Sequence, residues 1–134
     1  MKRGRLRKVS SRQKLINETQ SLFGKVIVRA RGSTCEICKT RKGAGLFHIL
    51  PVGGYPRLRF HSWNVLWSCW MPCHFNWHHD FKKAKKVEQR IIELRGEGYE
   101  DELRALNAMQ PPLSLHQISM YNMAFNATLK GEDK

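Results

Sequence analysis

The residues with most chemistry to offer stand in one stretch, Cys35 to His79. It opens with Cys35-Glu36-Ile37-Cys38, closes with Cys69-Trp70-Met71-Pro72-Cys73-His74 and onward to His79, and holds all 4 cysteines of the chain. Two close cysteine pairs separated by 30 residues suit one tetrahedral zinc. Each short knuckle supplies two thiolates, and the chain between them folds back to bring the pairs together. The second knuckle has three intervening residues where two are commoner, which is still within the usual range. Two disulfides would require an oxidising compartment, and the basic N-terminus lacks the apolar core of a secretory signal. Cys35, Cys38, Cys69 and Cys73 are therefore expected to hold a structural zinc.

His48, His61, His74, His78 and His79 lie in the same stretch, 5 of the 6 histidines, leaving only His116 outside. One histidine is usually structural, but this group suits hydrolysis of a phosphodiester. A neutral imidazole takes a proton from the attacking water, and a divalent cation stabilises the leaving oxyanion. The charge points the same way. Across 134 residues, 24 Lys and Arg stand against 11 Asp and Glu, a formal charge of +13 that favours a polyanionic partner, nucleic acid first. No apolar run approaches the roughly 20 residues needed to cross a bilayer, so the expectation is a soluble cytoplasmic protein with no membrane partner.

These residues need elements to position them. Residues 1–14, with Arg3, Arg5 and Arg7 among their charges, read as a disordered basic arm for phosphate. Leu15, Ile16, Leu22, Phe23, Val26 and Ile27 recur at helical spacing and predict an amphipathic helix over Ser11–Arg31, weakened at Gly24 and stopped at Gly32. Between the knuckles, glycines and prolines allow only short strands, Leu46–Leu50 and Arg57–Phe60, as an irregular hairpin. A helix begins near Cys73 and continues toward Lys86, and Val87, Ile91, Ile92 and Leu94 form a short amphipathic face before a break at Gly96 and Gly98. Tyr99–Met109 predicts another helix, Pro111-Pro112 stops it, and Ser114 caps a last helix carrying Leu115, Ile118, Tyr121, Met123, Phe125 and Leu129. That last stripe is core or a homodimer face. The fold class is α+β: a small zinc-clamped core with its leading helix over 15–95, and a helical extension over 96–134.

One segment also carries a family resemblance. His48-Ile49-Leu50-Pro51-Val52-Gly53-Gly54-Tyr55-Pro56-Arg57-Leu58-Arg59-Phe60, then Asn64-Val65 and Cys69, resembles the phage recombination endonucleases typified by the lambda NinG (Rap) protein. So does the preceding segment Phe23-Gly24-Lys25-Val26-Ile27-Val28-Arg29-Ala30-Arg31. That family is similar in turn to zinc-clamped HNH nucleases such as phage endonuclease VII. The resemblance implies a ββα-metal core and a structure-directed DNA endonuclease of recombination that cuts branched DNA of the Holliday-junction type, in the host cytoplasm if phage-encoded. It implies His48 as general base, Asn64 as the residue that holds the loop and orients it, and His74 as a ligand of a catalytic magnesium or manganese.

The chain departs from that pattern at Phe47, where many HNH enzymes place a second protein ligand of the catalytic metal. A phenyl ring binds no cation. The nearest substitutes are His78, His79 and Asp80, and His78, four residues from His74, shares its helical face. If none serves, the expectation becomes a non-catalytic zinc-dependent binder of branched or single-stranded nucleic acid; an RNA-binding zinc protein fits the composition but not the order of His48, Asn64 and His74. Arg57 and Arg59, alternating on one expected strand face, and Lys82, Lys83, Lys85 and Lys86 read as contacts to the DNA backbone. Trp63, Trp67, Trp70 and Trp77 read as core packing or as stacking surfaces for unpaired bases.

Overall fold

A computed structural model describes residues 10–131, so Arg3, Arg5 and Arg7 lie outside the described residues. The chain is α+β and mostly helical, with one two-stranded antiparallel sheet. Helix α1 spans Ser11–Arg31, strand β1 Gly45–His48 and strand β2 Val65–Ser68. Helices α2 (Phe75–His79), α3 (Phe81–Arg95), α4 (Tyr99–Met109) and α5 (Leu115–Gly131) follow. No helix among the described residues is long and apolar enough to cross a membrane.

α1 starts where Ser10 accepts the Gln13 N–H at 3.1 Å, satisfying one of the donors a helix N-terminus leaves open. It ends at Gly32, whose φ of +89° suits a residue without Cβ and whose N–H closes on the Val28 carbonyl at 2.7 Å. Arg12 and Lys14, counted above with the arm, stand in its first turns. Gly24 is unfavourable by helix propensity but lies under the Trp67 ring, and a Cβ there would sit 3.4 Å from the indole.

The hairpin differs from expectation. β1 pairs with β2, His48 opposite Val65 and Phe47 opposite Leu66, and not with Arg57–Phe60. The reason is burial on both faces. Phe47 and Leu66 face a core with Leu58, Val87, Ile91, Tyr99 and Leu103, while Val65 and its neighbours Leu46 and Trp67 face a second core with Ile16, Phe23, Ile27, Phe60 and Ile118. Only the run Val65-Leu66-Trp67 supplies apolar side chains to both faces in alternation. Arg57 lies instead in a 3₁₀ turn, Pro56–Leu58, with Arg59 just after it, so the two arginines do not alternate on a strand face.

The expected helix from Cys73 to Lys86 is likewise two helices. A wide turn over Trp70–His74 leads into α2, and the backbone breaks at Asp80, extended at φ −130°, ψ 101°. The Asp80 carboxylate accepts the Lys83 N–H at 3.0 Å and so starts α3. The four lysines therefore belong to α3, beyond the break. In the C-terminal segment Ser114 caps α5 as expected, accepting the Gln117 N–H at 3.1 Å. Ile118, Tyr121 and Phe125 turn toward α1, with the Phe23 and Phe125 rings stacked at 5.0 Å.

Candidate metal centre and histidine cleft

The cysteine cluster is built from backbone geometry. In the first knuckle the Cys35 N–H donates to the Arg41 carbonyl at 2.8 Å, and the Cys38 N–H points at the Cys35 sulfur at 3.5 Å. Lys39 takes the left-handed conformation, φ 60°, that turns the chain back. Glu36 docks this knuckle onto the edge of β2. Its N–H donates to the Trp67 carbonyl at 2.8 Å, and its carboxylate accepts the Trp67 N–H at 2.6 Å.

The second knuckle leaves the end of β2 directly, so the sheet delivers Cys69 and Cys73 to the first pair. The four Sγ atoms lie within 4.8 Å of one another, with Cys38 and Cys69 at 4.0 Å. A zinc holding four thiolates at about 2.3 Å sets sulfur–sulfur edges of about 3.8 Å, so the cluster fits a structural metal such as zinc. Among the described residues no other three His, Cys, Asp or Glu side chains converge in this way.

The electrostatics agree. Burial, followed by the hydrogen bonds and charges of neighbouring cysteines, holds the Cys73 thiol well above its ordinary range, and burial chiefly raises Cys69. For Cys38 burial also raises the thiol, but backbone and side-chain hydrogen bonds at Thr40, with others at Arg41 and Cys35, outweigh it and bring it down to about 6. Four thiolates this close repel one another unless a cation sits among them.

On the other side of the second knuckle a cavity of about 500 Å³ is lined by His48, His74 and His78, with Leu50, Tyr55, Trp77, Tyr99, Glu100 and Arg104. His48 ends β1. Its Nε2 lies 2.9 Å from the Arg59 carbonyl, and because a carbonyl only accepts, Nε2 carries the proton and Nδ1 keeps the lone pair. Burial lowers the His48 pKa from its ordinary value, the bond to Arg59 opposes this, and the Arg59 charge adds to it.

Asn64 is fully buried beneath the cleft. Its Oδ1 accepts the Leu50 N–H at 2.8 Å, its Nδ2 donates to the Leu50 carbonyl at 3.0 Å, and its own carbonyl accepts the Ile49 N–H at 2.8 Å. Asn64 thus closes the loop that leaves His48, while the direct partner of the imidazole is the backbone of Arg59.

His74 follows Cys73 directly, and its N–H donates to the Cys69 carbonyl at 3.2 Å. Its ring lies 5.0 Å from that of His78 and 5.3 Å from that of Phe47. Burial lowers its pKa, with smaller contributions from the charges of His78 and His48. Phe47 is fully buried, its ring edge-on to His74 and to Trp77. Among the three substitutes considered for it, His78 lines the cleft, His79 lies tilted against Phe75 at 4.5 Å, and Asp80 caps α3. His61 is elsewhere, accepting the Trp63 N–H at 3.2 Å.

Several site residues had no signal in the sequence. Glu100 and Arg104 stand in an (i, i+4) ion pair that reads as an ordinary solvated face, at 3.4 Å, yet α4 brings both to the cleft with Tyr55, whose hydroxyl accepts from Arg104 at 3.1 Å. Tyr99 is held protonated, its pKa pushed up to about 12 by burial and then by the charges of Glu100 and Glu88.

Of the arginines expected on DNA, Arg57 and Arg59 make hydrogen bonds within the protein. Arg57 donates to the Gln110 carbonyl at 3.0 Å and Arg59 to the Gln20 side chain at 3.0 Å. Arg31 and Arg95 both donate to the Val65 carbonyl, at 2.8 and 3.2 Å. Lys82, Lys83, Lys85 and Lys86 are exposed along α3. Three tryptophans pack: Trp63 under the Arg95 guanidinium at 4.3 Å, Trp67 against α1, and Trp77 against Phe47. Trp70 remains 53% exposed. No protein-family model matches the chain, and no curated protein or solved structure is significantly similar to it.

Proposed function

We propose that this protein is a zinc-scaffolded, structure-directed DNA endonuclease that hydrolyses phosphodiester bonds in branched DNA of the Holliday-junction type during recombination, with an HNH-like core as its resemblance implies. The observation that carries the reading is His48, its Nε2–H committed to the Arg59 carbonyl, in one cleft with His74 and His78. Nδ1 is then the free base that takes the proton from the attacking water, and burial keeps the imidazole neutral near pH 7 so that it can do so. His74 and His78 would hold a magnesium or manganese ion, taking its other ligands from water and phosphate, and the bound ion supplies charge neutralisation at the leaving oxygen. Arg104, which lines the same cleft, orients the phosphate. Exposed lysines on α3 neutralise the flanking backbone.

Phe47 favours a second reading, a non-catalytic zinc-dependent binder of branched or single-stranded nucleic acid, because its ring lies edge-on to His74 without offering a ligand. Incubating the zinc-loaded protein with a Holliday junction and with linear duplex, plus magnesium or manganese, separates the two. The nuclease reading predicts metal-dependent cuts at the junction that His48→Ala slows by about 100- to 10,000-fold, with junction binding in the absence of added divalent ion unchanged. No His48-dependent cut, with binding intact, leaves the binder.

A further inference from the structure

Burial sorts the large aromatic side chains into two groups, and the exposed group is confined to one segment. Trp70 is 53% exposed, Phe75 36% and Phe81 82%, whereas the other three tryptophans pack against the cores. Two of the exposed rings, Trp70 and Phe75, join the histidines in a connected row. Trp70 touches His74 at 5.1 Å and Phe75 at 6.3 Å, Phe75 lies on His79, and His74 lies against His78 inside the cleft. The row therefore begins at the histidines and runs out onto the surface at Trp70 and Phe75; beyond the break at Asp80, Phe81 opens α3 with the Lys85 ammonium 5.4 Å from its ring.

We infer that this aromatic row, together with the exposed Phe81 beside the lysines of α3, is a stacking surface for unpaired DNA bases next to the branch point, with those lysines holding the attached phosphates. The inference deepens the nuclease reading above and rests on it for the identity of the polymer. Its chemistry is complementary on both counts. Unpaired bases offer π-faces to the rings, and their backbone offers negative charge to four lysines that a hydrophobic protein interface would have to desolvate. A paired duplex offers the charge and hides the base faces. The row would thus tell a branched or frayed substrate from linear duplex, which phosphate contacts alone do not do.

The test is binding by fluorescence anisotropy, with the zinc-loaded full chain and no added divalent ion so that nothing is cut. The probes are a forked duplex with a single-stranded thymidine arm, the same fork with an abasic arm, and the fully paired duplex. Phe81→Ala and Trp70→Ala are each expected to weaken fork binding by about 5- to 100-fold. Duplex binding should stay unchanged, and the abasic arm should give the natural protein the same loss. Trp70 adjoins a cysteine, so its variant is read only with one zinc per chain; Phe81 is remote from the cysteines in sequence and stands alone as a test. Unchanged fork binding by Phe81→Ala, or an equal loss on duplex, overturns the inference. So does a dimer that this variant converts to monomer with fork binding intact, since the row is then a protein interface. Ring-dependent fork binding without any cutting overturns the nuclease reading alone, and His48-dependent cutting with ring-independent binding overturns this inference alone.

Discussion

The cysteine cluster and the histidine cleft meet at Cys73 and His74, adjacent in sequence, yet they are built in opposite ways. The cluster is closed: three of its four cysteines are buried, and backbone hydrogen bonds tie its first knuckle to β2. The cleft is open, its histidines supplied by β1, the Trp70–His74 turn and α2, with residues of α4 completing its lining. A structural metal site fills its coordination with protein, while a site that acts on a substrate keeps positions free. On the proposed reading the proximity has a purpose, since a metal at Cys73 would fix the backbone from which His74 projects.

This contrast can be broken most severely at the cysteines. Cys73→Ser should abolish cooperative folding, because structural zinc is worth about 10–16 kcal/mol in small zinc domains and a domain's whole stability is about 5–15 kcal/mol. Zinc content and a circular dichroism melt check it; a variant that keeps one zinc and an unchanged melt would remove the cluster's role as scaffold. Asn64→Ala comes next. It strands the N–H and carbonyl of Leu50, at about 1–3 kcal/mol for each buried group left unpaired, and should lower the urea midpoint and loosen the cleft together.

Gly43→Ala sharpens the contrast from the side of the hairpin, since a Cβ there would overlap the Trp67 indole. A cost of about 1–3 kcal/mol in urea, with zinc retained, is expected.

The smallest effect is that of pH on His48. Its folded pKa lies below the ordinary 6.5, so the folded chain binds fewer protons than the unfolded one as pH falls. Stability is full above 6.5 and is lost from there down through the folded pKa. Cleavage should be at its plateau near neutrality, with an acid limb that begins below 6.5 and then falls about tenfold per pH unit. An acid limb at or above 6.5 would show that another group is the base.

Local signals made much of the frame legible. The Ser114 cap, the Gly32 stop and the breaks at Gly96 and Pro111-Pro112 bound α1, α4 and α5 near their observed ends, and cysteine spacing alone identified the cluster. What was not legible depends on distant partners. β1 could pair with either following segment until the two cores selected the one that is apolar on both faces. Asp80 is a favourable cap residue, and that signal was available, but the run of helix formers beyond it hid the break. Positive charge was the coarsest guide, because Arg57, Arg31 and Arg95 spend their fixed fork of donors on backbone carbonyls from distant segments while the α3 lysines stay at the surface. Charge counted along the chain does not distinguish the two.

The central claim is that two metal positions exist and do different work. Crystals of the zinc-loaded protein soaked in manganese, with anomalous diffraction measured at the manganese and zinc edges, test it most directly. The account predicts zinc among Cys35, Cys38, Cys69 and Cys73, and a separate manganese within bonding distance of His74 and His78 beside His48. Zinc in the cluster with no manganese in the cleft, even with a DNA junction bound, would contradict it.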